Sequence, residues 1–343
     1  MPRWTRNRIA GLSLLALTGL VGLCAWALLA TTLGLELVWA RAAARLPEGV
    51  SVSRIGGRLL GPIELAGVRV RSDGADVAVE QVRLEWRARS LLRRAVEVDA
   101  LEVTGVRIVT LAPAGEDHGG PGPSVESLQA LRLPVRLDVR RLSIVDLRFA
   151  RHAAGESLGL LTLDLRDVSF QDTLIIGAMT AVAEQGRVRA GGWIAPRGSY
   201  PLRVEVTWDL TLDDVGALEG SATVSGDLAG LAVDVTTERP LVTRITGSVH
   251  DPLGRRTLDV RADVEETPLR SVRADWPEAS VAGSLHAVGV LDSLRVGVDA
   301  RGDSPETGPA TVRAELELVD DRIVVERMDV RAGEGRLHAE GSV

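Results

Sequence analysis

From Val50 onward, apolar residues return at every second position. Val50 and Val52, Ile63 and Leu65, Val68 and Val70, Val77 and Val79, then Val82, Leu84 and Trp86 alternate with Arg, Glu, Asp, Gln and Ser. That period belongs to half-buried β-strands; an amphipathic helix would bring its apolar residues back every three or four positions. In several runs the alternation slips by one, as in Val96-x-Val98-x-x-Leu101-x-Val103-x-x-Val106-x-Ile108. A slip turns every later side chain to the other face unless the chain absorbs it, so repeated bulges or tight turns are expected. Gly56, Gly57, Gly61-Pro62, Ser72-Asp73-Gly74 and Gly105 are the candidate breaks. One run departs from the pattern. Arg87 to Arg94, RARSLLRR, reads as a short surface helix with Leu91 and Leu92 set among arginines. Such a run is ordinarily a solvated face, the alternative being a contact for anionic headgroups.

Ahead of the alternation stands a different kind of segment. Ile9 to Leu35 is 27 residues without a charge, between Arg8 and Glu36. At roughly 1.5 Å per residue a helix of this length exceeds the ~30 Å hydrocarbon core of a bilayer. The expected membrane anchor comprises Ile9, Leu12, Leu14, Leu15, Leu17, Leu20, Val21, Leu23, Trp26, Leu28, Leu29, Leu33 and Leu35. Arg3, Arg6 and Arg8 before it place the N-terminus in the cytoplasm and the rest of the chain outside. A cleaved signal peptide competes with this reading, since Ala25-Trp26-Ala27 has the small-x-small form, but the apolar core before it is too long. Lipidation at Cys24 competes less well, because Leu23 stands where a small residue is needed. Trp4 and Trp39 are too far apart to mark the two interfaces of one bilayer, so the helix is expected to continue past Trp39 to Leu46 and to end at Pro47-Glu48-Gly49.

Composition narrows the function classes. The chain has 343 residues and a net charge of −7, and all 40 of its basic residues are arginine. Beyond residue 45, 35 Arg face 46 Asp plus Glu, a net of −11. An acidic body argues against nucleic acid, and against an anionic membrane surface as the main partner. Cys24 is the only cysteine, so no disulfide framework holds the exported part. Without lysine there is no Walker lysine, no Ser-x-x-Lys nucleophile and no Schiff base. His118, His152, His250, His286 and His338 are isolated, and the acidic pairs Asp213-Asp214, Glu265-Glu266 and Asp320-Asp321 have no calcium-loop spacing. The expectation is a non-enzymatic chain with no cofactor and no metal.

Residues 113–124, PAGEDHGGPGPS, read as a flexible loop, and Ser124 caps a short helix over 125–131. Strands resume with Leu137, Val139, Leu142, Ile144 and Leu147, which alternate or nearly alternate with Asp138, Arg140, Arg141 and Asp146. These five apolar residues make one face of the segment apolar and are the candidate lining of a groove. Further on, a Gly-x5-Gly repeat appears at Gly186 and Gly192, Gly220 and Gly226, Gly283 and Gly289, and Gly335 and Gly341. The two middle copies share a longer pattern, Gly-Ser-x4-Gly-x-Leu-x2-Leu-x-Val-x-Val. The eight glycines are expected to close hairpins at turns or bulges, and Trp193, Trp208 and Trp276 to pack on the strands. The reading divides the chain into 1–46 (tip, anchor and helical extension), 47–112 (first β segment), 113–131 (loop and helix) and 132–343 (repetitive hairpins).

Gly57-Arg-Leu-Leu-Gly-Pro-Ile-Glu-Leu-Ala-Gly-Val-Arg-Val, Val82-Arg-Leu-Glu-Trp-Arg-Ala-Arg-Ser-Leu-Leu, Val96-Glu-Val-Asp-Ala-Leu-Glu-Val-Thr-Gly-Val-Arg-Ile and the later Ala274-Asp-Trp-Pro-Glu resemble the N-terminal region of the TamB family, within the AsmA-like superfamily. The resemblance is strongest over 1–112. It implies an all-β protein with one N-terminal transmembrane helix, whose elongated repetitive sheet curls into a β-taco-like groove. It also implies an inner-membrane anchor, a periplasmic body, phospholipid as cargo moving towards the outer membrane, and an outer-membrane barrel protein of the TamA type as partner in outer-membrane protein assembly. Family members are much longer, so the chain reads as truncated after Val343. A scaffold that recruits outer-membrane assembly or autotransporter-secretion factors through its edge strands, without carrying lipid, is the alternative. A surface adhesin ranks third, for want of a sorting signal.

Overall fold

The computed structural model describes residues 31–43, 49–71, 75–110, 134–151, 157–212, 216–254, 256–273, 275–290, 293–306, 308–319 and 322–342. Most of the anchor stretch, the expected loop over 113–124 and the helix over 125–131 lie outside these residues. The chain forms two compact units, 1–114 with 135–164, and 165–343 with 115–134.

The first unit holds helix α1 (Thr32–Ala43), strands β1 (Val50–Gly57), β2 (Ile63–Arg71), β3 (Ala75–Trp86), β4 (Ala95–Thr110) and β5 (Arg136–Arg151), and the start of β6 (Ser157–Phe170). β1 to β4 pair antiparallel in sequence order. β4 and β5 pair parallel, Val96 against Leu137 through Thr110 against Arg151. A parallel pair cannot be closed by a tight turn and needs a crossover of a dozen or more residues, for which the 25 residues between these strands are ample. This pairing sets β5 beside β4, in the unit that holds 1–114 and 135–164. Leu35 on α1 is buried, whereas Leu37 and Val38 are exposed. The helix is described as far as Ala43, and its expected continuation to Leu46 lies outside the described residues.

The run RARSLLRR is a single 3₁₀ turn, Ala88–Arg93. Ser90, only 3% exposed, fixes it: its hydroxyl donates to the Arg87 carbonyl at 2.6 Å and accepts from the Glu97 amide at 3.1 Å. Arg94 then reverses the chain in the left-handed region, φ 55°.

In the second unit follow β7 (Leu174–Ala183), β8 (Gly186–Ile194), β9 (Leu202–Leu212), β10 (Gly216–Asp227), β11 (Gly230–Arg239), β12 (Thr243–His250), β13 (Thr257–Pro268), the one-turn helix α2 (Leu269–Val272), β14 (Ser280–Val290), β15 (Ser293–Ser304), β16 (Gly308–Val319), β17 (Arg322–Ala332) and β18 (Gly335–Ser342). From β7 to β18 every strand pairs antiparallel with the next. β9 shows the alternation in its plainest form: Leu202, Val204, Val206, Trp208 and Leu210 are half-buried, and the residues between them are exposed.

Among the described residues neither unit shows the core of a layered domain: no large side chain is fully buried, and beyond α1 the buried hydrophobics are Val98, Val106, Val139 and Leu147 on β4 and β5, and Ala195 just after β8, Ala282 and Ala314 in the second unit. A sheet with a second layer packed on it would bury its whole inner face.

Candidate functional site

In the first unit the strand registers place apolar residues opposite apolar residues in continuous rows. One row runs Val52, Val68, Val79, Val106, Leu147 across β1 to β5, and its neighbour runs Ile55, Leu65, Val82, Val103, Ile144. Ile63, Leu84, Leu101 and Leu142 form another, and Trp86, Val98 and Val139 the next. The slips in the alternation would break these rows if each strand slipped at its own level. They do not: Ser53, Gly67, Glu80, Gly105 and Asp146 all drop out of the pairing at one level, so the five strands change phase together. Gly67 (φ 62°), Gly105 (φ 67°) and Asp146 (φ 57°) take the left-handed conformation at this level. A second shared slip lies at Asp99 and Arg140, whose side chains meet at 3.4 Å.

The five candidate groove residues sit on β5, each opposite an apolar residue of β4: Leu137 with Val96, Val139 with Val98, Leu142 with Leu101, Ile144 with Val103, Leu147 with Val106. Val139 and Leu147 are buried, and Leu137, Leu142 and Ile144 are half-buried. β4 and β5 carry one spacing, apolar at 96, 98, 101, 103, 106 and 108 and at 137, 139, 142, 144, 147 and 149. That identity is the sequence signal by which the parallel pair, and with it the apolar residues of β4, could have been added to the site.

The eight repeat glycines are not turn residues. All lie within strands, Gly186 and Gly192 on β8, Gly220 and Gly226 on β10, Gly283 and Gly289 on β14, Gly335 and Gly341 on β18. Their spacing of six is even, so both glycines of a copy face the same side, together with the two apolar residues between them, such as Leu285 and Ala287. On that side the neighbours are also apolar: Gly226 lies between Leu202 and Leu231, and Gly289 between Leu258 and Leu294. Gly220 is covered by the indole of Trp208, whose Cζ2 would stand 2.6 Å from an added Cβ. The indole N–H of Trp208 is buried there without a hydrogen-bond partner. At Gly226 a Cβ would run into the Gly230 carbonyl across the strand pair, whereas at Gly341 it would meet nothing within 4 Å. Of the other two tryptophans, Trp193 is 40% exposed on β8 and Trp276 is 39% exposed after α2.

The opposite faces are charged. Arg83 pairs with Glu85, Arg136 with Asp138, Arg203 with Glu205 and Arg261 with Asp263, each two residues apart and exposed. Pairs of this kind stabilise by about 0–1 kcal/mol, which makes these faces solvated exteriors. A hollow of about 490 Å³ at the shared slip is lined by Arg69, Arg107, Arg148, Glu80 and Asp146 among others. The hydrogen bond that Arg87 donates to Asp99 above all raises the pKa of Arg87, and those that Asp227 accepts from the Ser199 side chain and the Ala229 and Gly230 amides lower that of Asp227. His338 is raised, first by Asp329 at 3.0 Å and then by Glu340 at 3.2 Å. Among the described residues no three His, Cys, Asp or Glu side chains are grouped to hold a metal ion.

Of the anchor residues, Ile9 to Leu29 lie outside the described residues, while Leu33 and Leu35 fall on α1. Among the described residues no helix is long and apolar enough to cross a membrane. The model of the TamB N-terminal domain family matches residues 20–119 and 113–343. No curated protein and no solved structure matches the chain.

Proposed function

The chain belongs to the TamB family, and from that premise we propose that it carries phospholipid, acyl chains lying along the apolar rows, as the membrane-anchored part of a periplasmic bridge towards the outer membrane. The observation that carries this reading is the set of in-register apolar rows on β1 to β5, in which Val98, Val106, Val139 and Leu147 are buried and the other large side chains stay half-buried. An apolar face of that extent needs a cover in water. Acyl chains suit it: they need no polar partner, and each buried CH₂ gains about 0.8 kcal/mol. The rows hold only Val, Ile, Leu and Trp side chains, so they offer no group for chemistry on a substrate; the proposed role is transport without catalysis. The same reading places the N-terminus in the cytoplasm, Ile9–Leu35 in the inner membrane and the sheets in the periplasm, curled into a groove. It also takes a TamA-type barrel as the partner through which the chain supports outer-membrane protein assembly.

The test uses photo-crosslinking residues in the full-length protein in its own membrane. Positions 137, 142 and 147 should capture phospholipid, and 138 and 140 should not. A charge at Leu142→Arg would sit beside acyl chains at a cost of several kcal/mol and should slow lipid passage. Capture of protein neighbours alone, together with a loss of about 2–5 kcal/mol in Leu142→Ala, would reject the conduit and favour a scaffold with closed apolar faces.

A further inference from the structure

At one end of the first sheet two connections project side by side, the β1–β2 turn over 58–62 and the β3–β4 connection over 87–94. The Trp86 indole N–H joins them, donating to the Leu59 carbonyl at 3.0 Å. Together they present three leucines to solvent: Leu92 is 90% exposed, Leu91 48% and Leu60 37%. Single exposed leucines are ordinary, but here arginines flank them along both connections. Arg58, Arg89, Arg93 and Arg94 are all exposed, and none has an acidic partner among the described residues. Arg83, Arg136, Arg203 and Arg261 on the sheet faces, by contrast, each pair with an Asp or Glu two residues away. The acids next along the chain are already engaged, because Arg87 holds Asp99 at 2.7 Å and Glu97 at 3.4 Å. The turn is held in place by Ser90 and by the reversal at Arg94, so Leu92 is displayed on a fixed support.

An apolar tip with a cationic collar matches the surface of an anionic bilayer. Leucines enter the boundary between headgroups and acyl chains, and guanidinium groups bind lipid phosphates in a planar, two-pronged manner. We infer that this tip docks on the surface of an anionic phospholipid bilayer, a second membrane contact that requires neither the N-terminal apolar stretch nor lipid movement along the sheet. Its positive sign is local and opposite to that of the acidic body, whose net charge would repel the same surface.

The experiment uses the full chain, held in phosphatidylcholine nanodiscs, with Cys24→Ser and a single Leu92→Cys carrying an NBD fluorophore. Vesicles of phosphatidylcholine alone, or containing phosphatidylglycerol, are then added. A blue shift and rise in NBD emission with the phosphatidylglycerol vesicles only is expected, and none at a control label on the charged face, Glu102→Cys. Each of Arg89→Gln, Arg93→Gln and Arg94→Gln should weaken vesicle binding about fivefold. Flotation of the unlabelled chain with the same vesicles checks that the label itself is not the anchor. No shift with either vesicle, an equal shift with both, an equal response at position 102, or unchanged binding in the three arginine variants would each overturn the inference. Lipid capture at 137, 142 and 147 should persist in the arginine variants, so failure of the docking and failure of the conduit are read separately.

Discussion

The two units keep one face apolar by different means. The first uses large side chains, Val, Ile, Leu and Trp, in rows that survive because five strands bulge at one level. The second uses strands bounded by glycine, with Val, Ala or Leu between, and lets a large neighbour such as Trp208 lie over the space that a glycine leaves. The glycines at the shared slip and those of the repeat are therefore limited by different things. At Gly67 and Gly105 an added Cβ would meet side chains, Ser53 and Glu80, which can swing away. At Gly186, Gly192, Gly226 and Gly289 it would meet a carbonyl of the paired strand, which cannot move without loosening the ladder. An apolar face can be set by what its residues carry or by what they lack, and the two solutions differ in what they tolerate.

That contrast can be broken most directly at its leucines. Leu147 on β5 is 4% exposed and Leu337 on β18 is 57% exposed. Leu147→Ala should cost about 2–5 kcal/mol by hydrogen exchange of β4 and β5 amides, whereas Leu337→Ala should cost less than about 1 kcal/mol at β17 and β18. Equal losses would mean that both units are packed alike. Glycine variants sharpen the difference at smaller amplitude. Gly226→Ala combines φ 128° with a backbone collision and should cost roughly 2–3 kcal/mol; Gly105→Ala, at φ 67°, should cost about 1–2 kcal/mol once Glu80 turns aside. Gly341→Ala, with open space, should be close to neutral. If all three cost the same in thermal unfolding and protease resistance, the backbone limit is not what fixes the repeat.

The smallest expected effect is a pH dependence confined to β18. His338 is raised above its ordinary value near 6.5 by Asp329 and Glu340. The stability it lends to the β17–β18 pair is fully present below about pH 6.5 and is lost as pH rises through the raised value. Amide exchange in β18, corrected for its intrinsic pH dependence, should accelerate over that window, and His338→Gln should abolish the change. β2 and β3 in the first unit should show none.

The strands from Val50 to Ile108 were legible because alternation leaves little choice, and the slips were legible as bulges because no strand can change faces without one. What alternation does not encode is which strand lies beside which. β5 looked like the start of a hairpin series because nothing in its own residues marks it as parallel; the mark was its spacing, shared with β4. The repeat glycines were legible as positions hostile to a Cβ, and their even spacing of six puts both glycines of a copy on one side of a single strand. In the arginine run the turn was evident, but the 90% exposure of Leu92 follows from Ser90 tying the backbone down, a contact with Glu97 seven residues on.

The parallel pair also imposes an order of assembly. From β7 to β18 each strand meets its partner as soon as it is made, since hairpins such as Ala183 with Gly186 close over a few residues. β5 meets β4 only after a 25-residue excursion, and closing that loop costs about 2 kcal/mol more in chain entropy than closing a tight hairpin. Its reward is a continuous apolar contact line, Val96 with Leu137 through Ile108 with Phe149. Growth from the N-terminus thus slows at the step where the first four strands acquire the fifth, while strands joined by short hairpins add to an edge already in place within their own unit.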